Sequence, residues 1–252
     1  MWIPGALSAE ARAYRGEVWR VVEAQARAAT MRLADSVEDQ HLLEALIEEV
    51  KPPLPPDCRH LHWLLAAPFR YGPAAAGGSR FRRAGPGPGV FYAAEAVTTA
   101  VAEIAFQRLL FFAESPGTPL PARPVEHTAF SVRVASARLL DLTRPPLSHD
   151  EISWTAPADY AACQALADAA RQAGIEIIRS ASVRDPAKGC NITLLSAAAF
   201  AAHAPARQQT WRLYLRPASI QVSCESPRMD LEFTERDFAR ENFDRVEKFI
   251  TK

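Results

Sequence analysis

Five arginines and no carboxylate fall between Cys58 and Ala94: Arg59, Arg70, Arg80, Arg82 and Arg83. In a chain of zero net charge, such a segment sets up a local positive field and points to an anionic ligand. Arg70 sits between Phe69 and Tyr71, and Arg80 precedes Phe81. A guanidinium offers planar, paired donors to phosphate oxygens, and a neighbouring ring offers a stacking face. Tyr71 and Tyr92 suit stacking on a nicotinamide or adenine ring, or hydroxyl hydrogen bonds. Glu103 follows on a segment with helical spacing, where Ala96, Thr99 and Ala100 leave room over its face. A carboxylate there suits the oxocarbenium-like charge that develops when a glycosidic bond breaks, or a ribose hydroxyl. Ser182 follows an apolar strand at a turn and suits a phosphate or ribose contact; Ser180 competes with it. Each type has a plainer use as well: a solvated basic loop, an exposed helix glutamate, a half-buried tyrosine, a turn cap. Residue type alone leaves both uses open.

Other chemistries lack their residues. Gly85-Pro86-Gly87-Pro88-Gly89 is followed by no Lys-Ser/Thr and has no strand-to-helix setting, so it is no phosphate-binding loop. No HExxH, metal-spaced His/Asp cluster or GxSxG elbow occurs, and His60-x-His62 alone is a weak metal signal. Cys58, Cys163, Cys190 and Cys224 form no CxxC pair and read as incidental thiols. The neutral balance argues against direct nucleic-acid or membrane-surface binding. No apolar run approaches the roughly 20 residues that span a bilayer. The N-terminus shows no charged start followed by an apolar run, so the cytoplasm is the expected location.

The elements that must position these side chains read as α+β. Residues 8–50 have helical spacing, through Val18, Val21 and Val22, then Ala26, Ala29 and Leu33, then Leu42, Leu43, Leu46 and Ile47. Asp35 or Ser36 suits the cap of a second helix, and the prolines after Lys51 must end it. Strands are expected near 90–92, 127–134, 138–142, 175–178, 192–195, 210–215 and 219–223. Helices are expected over 95–112 and 160–172, the latter ended by Gly174, and a charged amphipathic helix over 234–250. The domain reading is a helical N-terminal extension, 1–58, packed on the core; a catalytic domain, 59–223; and a C-terminal helical segment, 224–252. The helical N-terminal stretch suits a scaffold or an oligomer contact, so a homo-oligomer stays open.

The order Arg, Gly-Gly-x-Arg-Phe, Tyr, Ala-x-x-Glu resembles the RES domain family. So does the late run Gly174-Ile175-Glu176 through Ser182-Val183-Arg184-Asp185-Pro186, Gly189 and Asn191. Trp154, Asp159-Tyr160 and Gln209-Thr210-Trp211 are similar to a longer subgroup, and the resemblance covers about residues 60 to 222. It implies an ADP-ribosyltransferase-like mixed sheet with helices. It further implies a bacterial type II toxin that cleaves NAD, as substrate, at the nicotinamide–ribose bond without a metal. The ADP-ribose would pass to phosphate, as in an NAD phosphorylase, to water, or to a protein target. The implied partner is a cognate antitoxin with a helix-turn-helix-like portion. Carried over, Arg70 and Arg80 would bind pyrophosphate or incoming phosphate, with Arg82 an alternative second arginine. Tyr71 and Tyr92 would line nicotinamide and ribose, Glu103 would stabilise the cation, and Ser182 or Ser180 would complete the ribose or phosphate contacts. A non-catalytic binding or assembly module is the competing expectation.

Overall fold

The computed structural model describes residues 2–24, 33–71 and 78–238. In chain order these form α1 (Pro4–Ala9), β1 (Arg12–Glu23), α2 (Val37–Val50), α3 (Trp63–Arg70), β2 (Phe91–Ala94), α4 (Val97–Glu114), β3 (Val125–Asp141), α5 (Ala161–Gln172), β4 (Ile177–Ala181), β5 (Cys190–Leu194), β6 (Arg207–Arg216), β7 (Ser219–Glu225) and β8 (Arg228–Thr234), with short helical turns between. The fold is α+β, a mixed eight-stranded sheet carrying helices.

β3 is the axis. One edge pairs antiparallel with β1, from Arg12↔Leu139 to Glu23↔His127. The other edge is shared: its first half pairs with β6, and its last residues run parallel to β4. β4, β5 and β2 follow antiparallel, and β2 returns to β1 through the pair Trp19↔Ala94. Five strands, β1-β2-β5-β4-β3, therefore close into a ring, while β6, β7 and β8 extend outward as a meander.

The five ring strands turn one common face inward. Val18, Phe91, Ala93, Val132, Val134, Leu139, Ile177, Ile192 and Leu194 form one buried cluster there, and Leu64, Leu65 and Ala66 of α3 pack on it. Each fully buried aliphatic or aromatic side chain contributes about 1.5–3 kcal/mol. Outside the ring, α4 is sandwiched against β1 and the meander through Ala105, Phe106, Leu109, Trp211, Leu213 and Phe233. α5 and α1 cover the other flank through Leu7, Leu166, Ala170, Leu140 and Ile178. Among the described residues no helix is long and apolar enough to cross a membrane.

Two expectations change. Residues 12–23 form a strand, not a helix. Tyr14, Val18, Trp19, Val21 and Val22 are β-branched or aromatic, and the free edge of β3 supplies a partner along the whole segment. Residues 228–234, expected within a helical C-terminal segment, form β8, with Met229 and Phe233 packed against the meander's core. Ala26 and Ala29, and residues 239–250 of the expected C-terminal helix, lie outside the described residues. The other expected strands, and the helices over 95–112 and 160–172, match observed elements to within a few residues. Ser36 caps α2, its Oγ accepting from Asp39 N at 3.0 Å. Gly174 ends α5 with φ of 69°, the left-handed conformation that favours glycine there. The two expected strands over 127–142 merge into β3.

Candidate active site

α4 buries Ala100, Val101, Ala105 and Phe106 and turns Glu103 toward the turn between β4 and β5. That turn is locked by Asp185. Its Oδ1 accepts from Ala187 N at 2.9 Å, and its Oδ2 accepts from Gly189 N at 3.1 Å and Thr99 Oγ1 at 2.7 Å. The Thr99 bond ties the turn to α4 one helical turn before Glu103. Gly189 makes this approach possible: a Cβ there would stand 2.1 Å from Thr99 Oγ1.

Two donors converge on one oxygen of Glu103. Ser182 Oγ donates to Oε1 at 2.7 Å and Asn191 Nδ2 donates at 2.6 Å. Ser182 Oγ accepts in turn from the backbone N–H groups of Arg184 and Asp185, at 3.2 and 3.1 Å. The other oxygen, Oε2, faces Arg184 Nη1 at 3.6 Å. The carboxylate is thus oriented by short bonds on one side and left with a longer ion pair on the other.

Cations and rings extend from it in a chain. Arg184 stacks over Phe106, 4.4 Å from the ring centre, and donates to Tyr160 Oη at 2.8 Å. Arg80 stacks on the same Tyr160 ring at 4.9 Å and donates to the carbonyls of Trp154 and Ala156, at 2.8 and 3.0 Å. Ser79 Oγ lies 2.8 Å from Tyr92 Oη, and Phe81 N donates to that oxygen at 3.0 Å. Burial pushes the Tyr92 phenol above its ordinary pKa. These groups line a cleft of about 780 Å³ that also takes in Arg20, Ser180, Asn191 and Thr193. Arg20 Nε, Arg80 Nη2, Arg184 Nε and Thr193 Oγ1 are buried and have no hydrogen-bond partner among the described residues. Unsatisfied buried donors on three guanidinium groups in one cleft favour an anionic occupant.

Of the expected site residues, Arg80, Tyr92, Glu103 and Ser180 line this cleft. Ser182 stands behind Glu103 as its hydrogen-bond donor. Arg70 and Tyr71 are not among the lining residues. Arg70 donates to Glu48 Oε1 at 2.6 Å and to the Pro52 carbonyl at 2.5 Å. Arg82 lies outside the lining too, clamping its loop through the carbonyls of Tyr71 and Gly87 at 2.7 and 3.0 Å. Gly77 falls outside the described residues. Arg184, Asn191 and Tyr160 were visible as part of a pattern but carried no expected role. Arg20 was missed because its segment read as helical. A period of two, with Arg20 between Val18 and Val22, would have put one arginine on an apolar strand face.

The RES domain model matches residues 54–216. The chain belongs to the RES domain family. No curated protein matches it. A crystal structure, the M. tuberculosis MbcT–MbcA toxin–antitoxin complex, is similar at 13% identity and a TM-score of 0.46, covering 99% of this chain and 97% of that chain. Arg80, Tyr92, Glu103, Ser182, Arg184 and Asn191 all lie within the RES segment, whereas β1, which carries Arg20, precedes it.

Proposed function

We propose that this RES protein is a toxin that binds NAD and breaks its nicotinamide–ribose bond, passing ADP-ribose to phosphate or water. The observation that carries the reading is the setting of Glu103: a carboxylate on a cleft wall, oriented by Ser182 and Asn191, beside cations with unsatisfied donors. Arg80 and Arg184 suit the pyrophosphate, and the rings of Tyr92 and Tyr160 suit stacking. In the reaction the C1′–N1 bond breaks and its electron pair returns to the ring nitrogen, neutralising the pyridinium. The ribose carries the positive charge, and Glu103 stabilises it until a phosphate oxygen bonds to C1′, or a water oxygen does so and releases its proton to solvent. A leaving group that departs neutral needs no general acid. The protein's work is therefore to hold the pyrophosphate, place the ribose and supply a fixed negative charge. Ser182 and Asn191 act through Glu103 as positioning residues. Arg82, with Tyr71 as its acceptor, supports the loop that presents Arg80. Arg70 contributes to NAD binding only if it exchanges Glu48 for substrate.

The reading places the protein with a cognate antitoxin and at the cytoplasmic NAD pool. Nicotinamide release from NAD tests it. The wild type should turn over, and Glu103→Gln should lose about 100-fold or more, as when a fixed electrostatic group is removed. Equal rates would take Glu103 out of the chemistry. Dependence on added phosphate separates phosphorolysis from hydrolysis, and a labelled protein band from labelled NAD would indicate transfer to a protein instead.

A further inference from the structure

Gln107 comes one helical turn after Glu103 on α4 and lines the same cleft. Residues four apart share a helix face, with Cβ atoms about 5–6 Å apart. The Gln107 side chain is exposed and makes no hydrogen bond among the described residues. The helix divides the cleft at Glu103. At about 100° per residue, Phe106 falls to one side of the Glu103 line, and Ile104 and Gln107 fall to the other. The cations stand on the Phe106 side: Arg184 over the Phe106 ring, and Arg80 beyond it on Tyr160. On the other side Ile104 belongs to one apolar cluster with Trp19 and Val21 of β1, and all three line the cleft. An anionic pyrophosphate belongs with the cations, and an aromatic ring that departs uncharged belongs against the apolar wall. With C1′ of the ribose at Glu103, the bond to the ring nitrogen then points to the Gln107 side. The carboxamide of nicotinamide stands about as far from C1′ as one helical turn is long. It offers a carbonyl acceptor and an NH2 donor, and the Gln107 amide offers the matching pair, Nε2–H and Oε1.

We propose that Gln107 is a specificity-determining residue whose side-chain amide binds the carboxamide of the departing nicotinamide, with the ring laid against Ile104, Trp19 and Val21. The inference rests on the NAD reading and deepens it, by naming the part of the substrate that the apolar arm of the cleft takes. Gln107 moves no proton and forms no covalent bond. It holds the ring before and during scission alike, so its loss falls on substrate binding more than on the rate at saturation.

The test pairs a change in the protein with a change in the substrate. Release of the base by the full chain is measured for wild type, Gln107→Leu and Gln107→Ala, with NAD and with the analogue dinucleotide whose pyridinium carries no carboxamide. Thermal unfolding of each is followed alongside. Leucine and alanine are good helix formers, so both substitutions keep α4. For NAD, kcat/KM should fall about tenfold in each variant, chiefly through KM, as for loss of two neutral hydrogen bonds. With the analogue each variant should stay within about twofold of wild type, because the contact is already missing. Melting temperatures should hold, since the side chain is exposed and ties nothing else together. A variant that loses equally on both dinucleotides, or on neither, overturns the assignment; an equal loss would put the adenine, or a purely structural role, at Gln107. A wild type that releases base from neither dinucleotide sinks the NAD reading and this assignment with it. An active wild type whose variants treat the two dinucleotides alike sinks this assignment alone.

Discussion

Arg179 and Arg20 belong to the same ring of strands, yet their surroundings differ in kind. Arg179 donates twice to Glu95, each bond 2.9 Å, and again to Asp141 and to Thr143 Oγ1 at 2.6 Å. Tyr14 Oη donates to the same Glu95 at 3.4 Å. Arg179, Asp141, Tyr14 and the neighbouring Cys190 come from β4, β3, β1 and β5, and Glu95 directly follows β2. By strand parity they continue the inner apolar face and end it with a polar layer. Hydrogen bonding to Glu95 raises the Arg179 pKa, and burial followed by Glu95 pushes Tyr14 up to about 12. Arg20 has one carbonyl, an aromatic face and an idle N–H. A cluster whose donors and acceptors consume one another fastens strands together. A cluster with donors left over is shaped for something else.

The largest expected difference between the two clusters comes from one chemical change made in each. Glu103→Gln should lower nicotinamide release about 100-fold with little change in unfolding. Glu95→Gln should leave turnover of the folded protein within about twofold, as steady-state rates corrected for folded fraction would show, because it loosens a strand tie and not the cleft. Arg179→Met leaves Glu95 without its cation and Asp141 with Arg144 in place of two, and should cost about 2 kcal/mol, read from urea unfolding midpoints; partial exposure keeps the cost below that of a fully buried pair. Gly189→Ala forces a Cβ against Thr99 Oγ1 and Asp185 Oδ2 and should cost about 1–2 kcal/mol, with a smaller loss of turnover as Glu103 shifts. Arg70→Ala should do least, leaving the rate at saturating NAD unchanged, since Arg70 is engaged by Glu48 and Pro52. A tenfold rise in apparent KM would instead put Arg70 among the ligand-binding groups.

The legible parts of the sequence were those fixed by local chemistry. The spacing of Val97, Val101 and Ile104 gave α4, and Gly174 marked the end of α5, because helix periodicity and a left-handed turn are properties of neighbouring residues. Arg80 and Glu103 could be singled out because a cation-rich loop and a carboxylate on a small-residue helix face both stand out in composition. β1 was illegible because its valines fall at spacings of three and four, and only the distant edge of β3 decides that they pair as a strand. The role of Ser182 was hidden for a similar reason. Whether its hydroxyl faces a ligand or Glu103 depends on how the β4–β5 turn, held by Asp185, meets α4 across some eighty residues of chain. Arg70 looked as suitable as Arg80, and its engagement by Glu48 could not be seen without the placement of α2.

The RES segment spans residues 54–216, but the first strand of the ring and the last two of the meander lie outside it. A polypeptide trimmed to those limits would leave the long edge of β3 bare from 127 to 139 and uncover the apolar side of β6 and α4. Unpaired edges and uncovered apolar surface drive self-association. Such a fragment should precipitate on expression, and its silence in an assay would say nothing about the chemistry of the whole molecule.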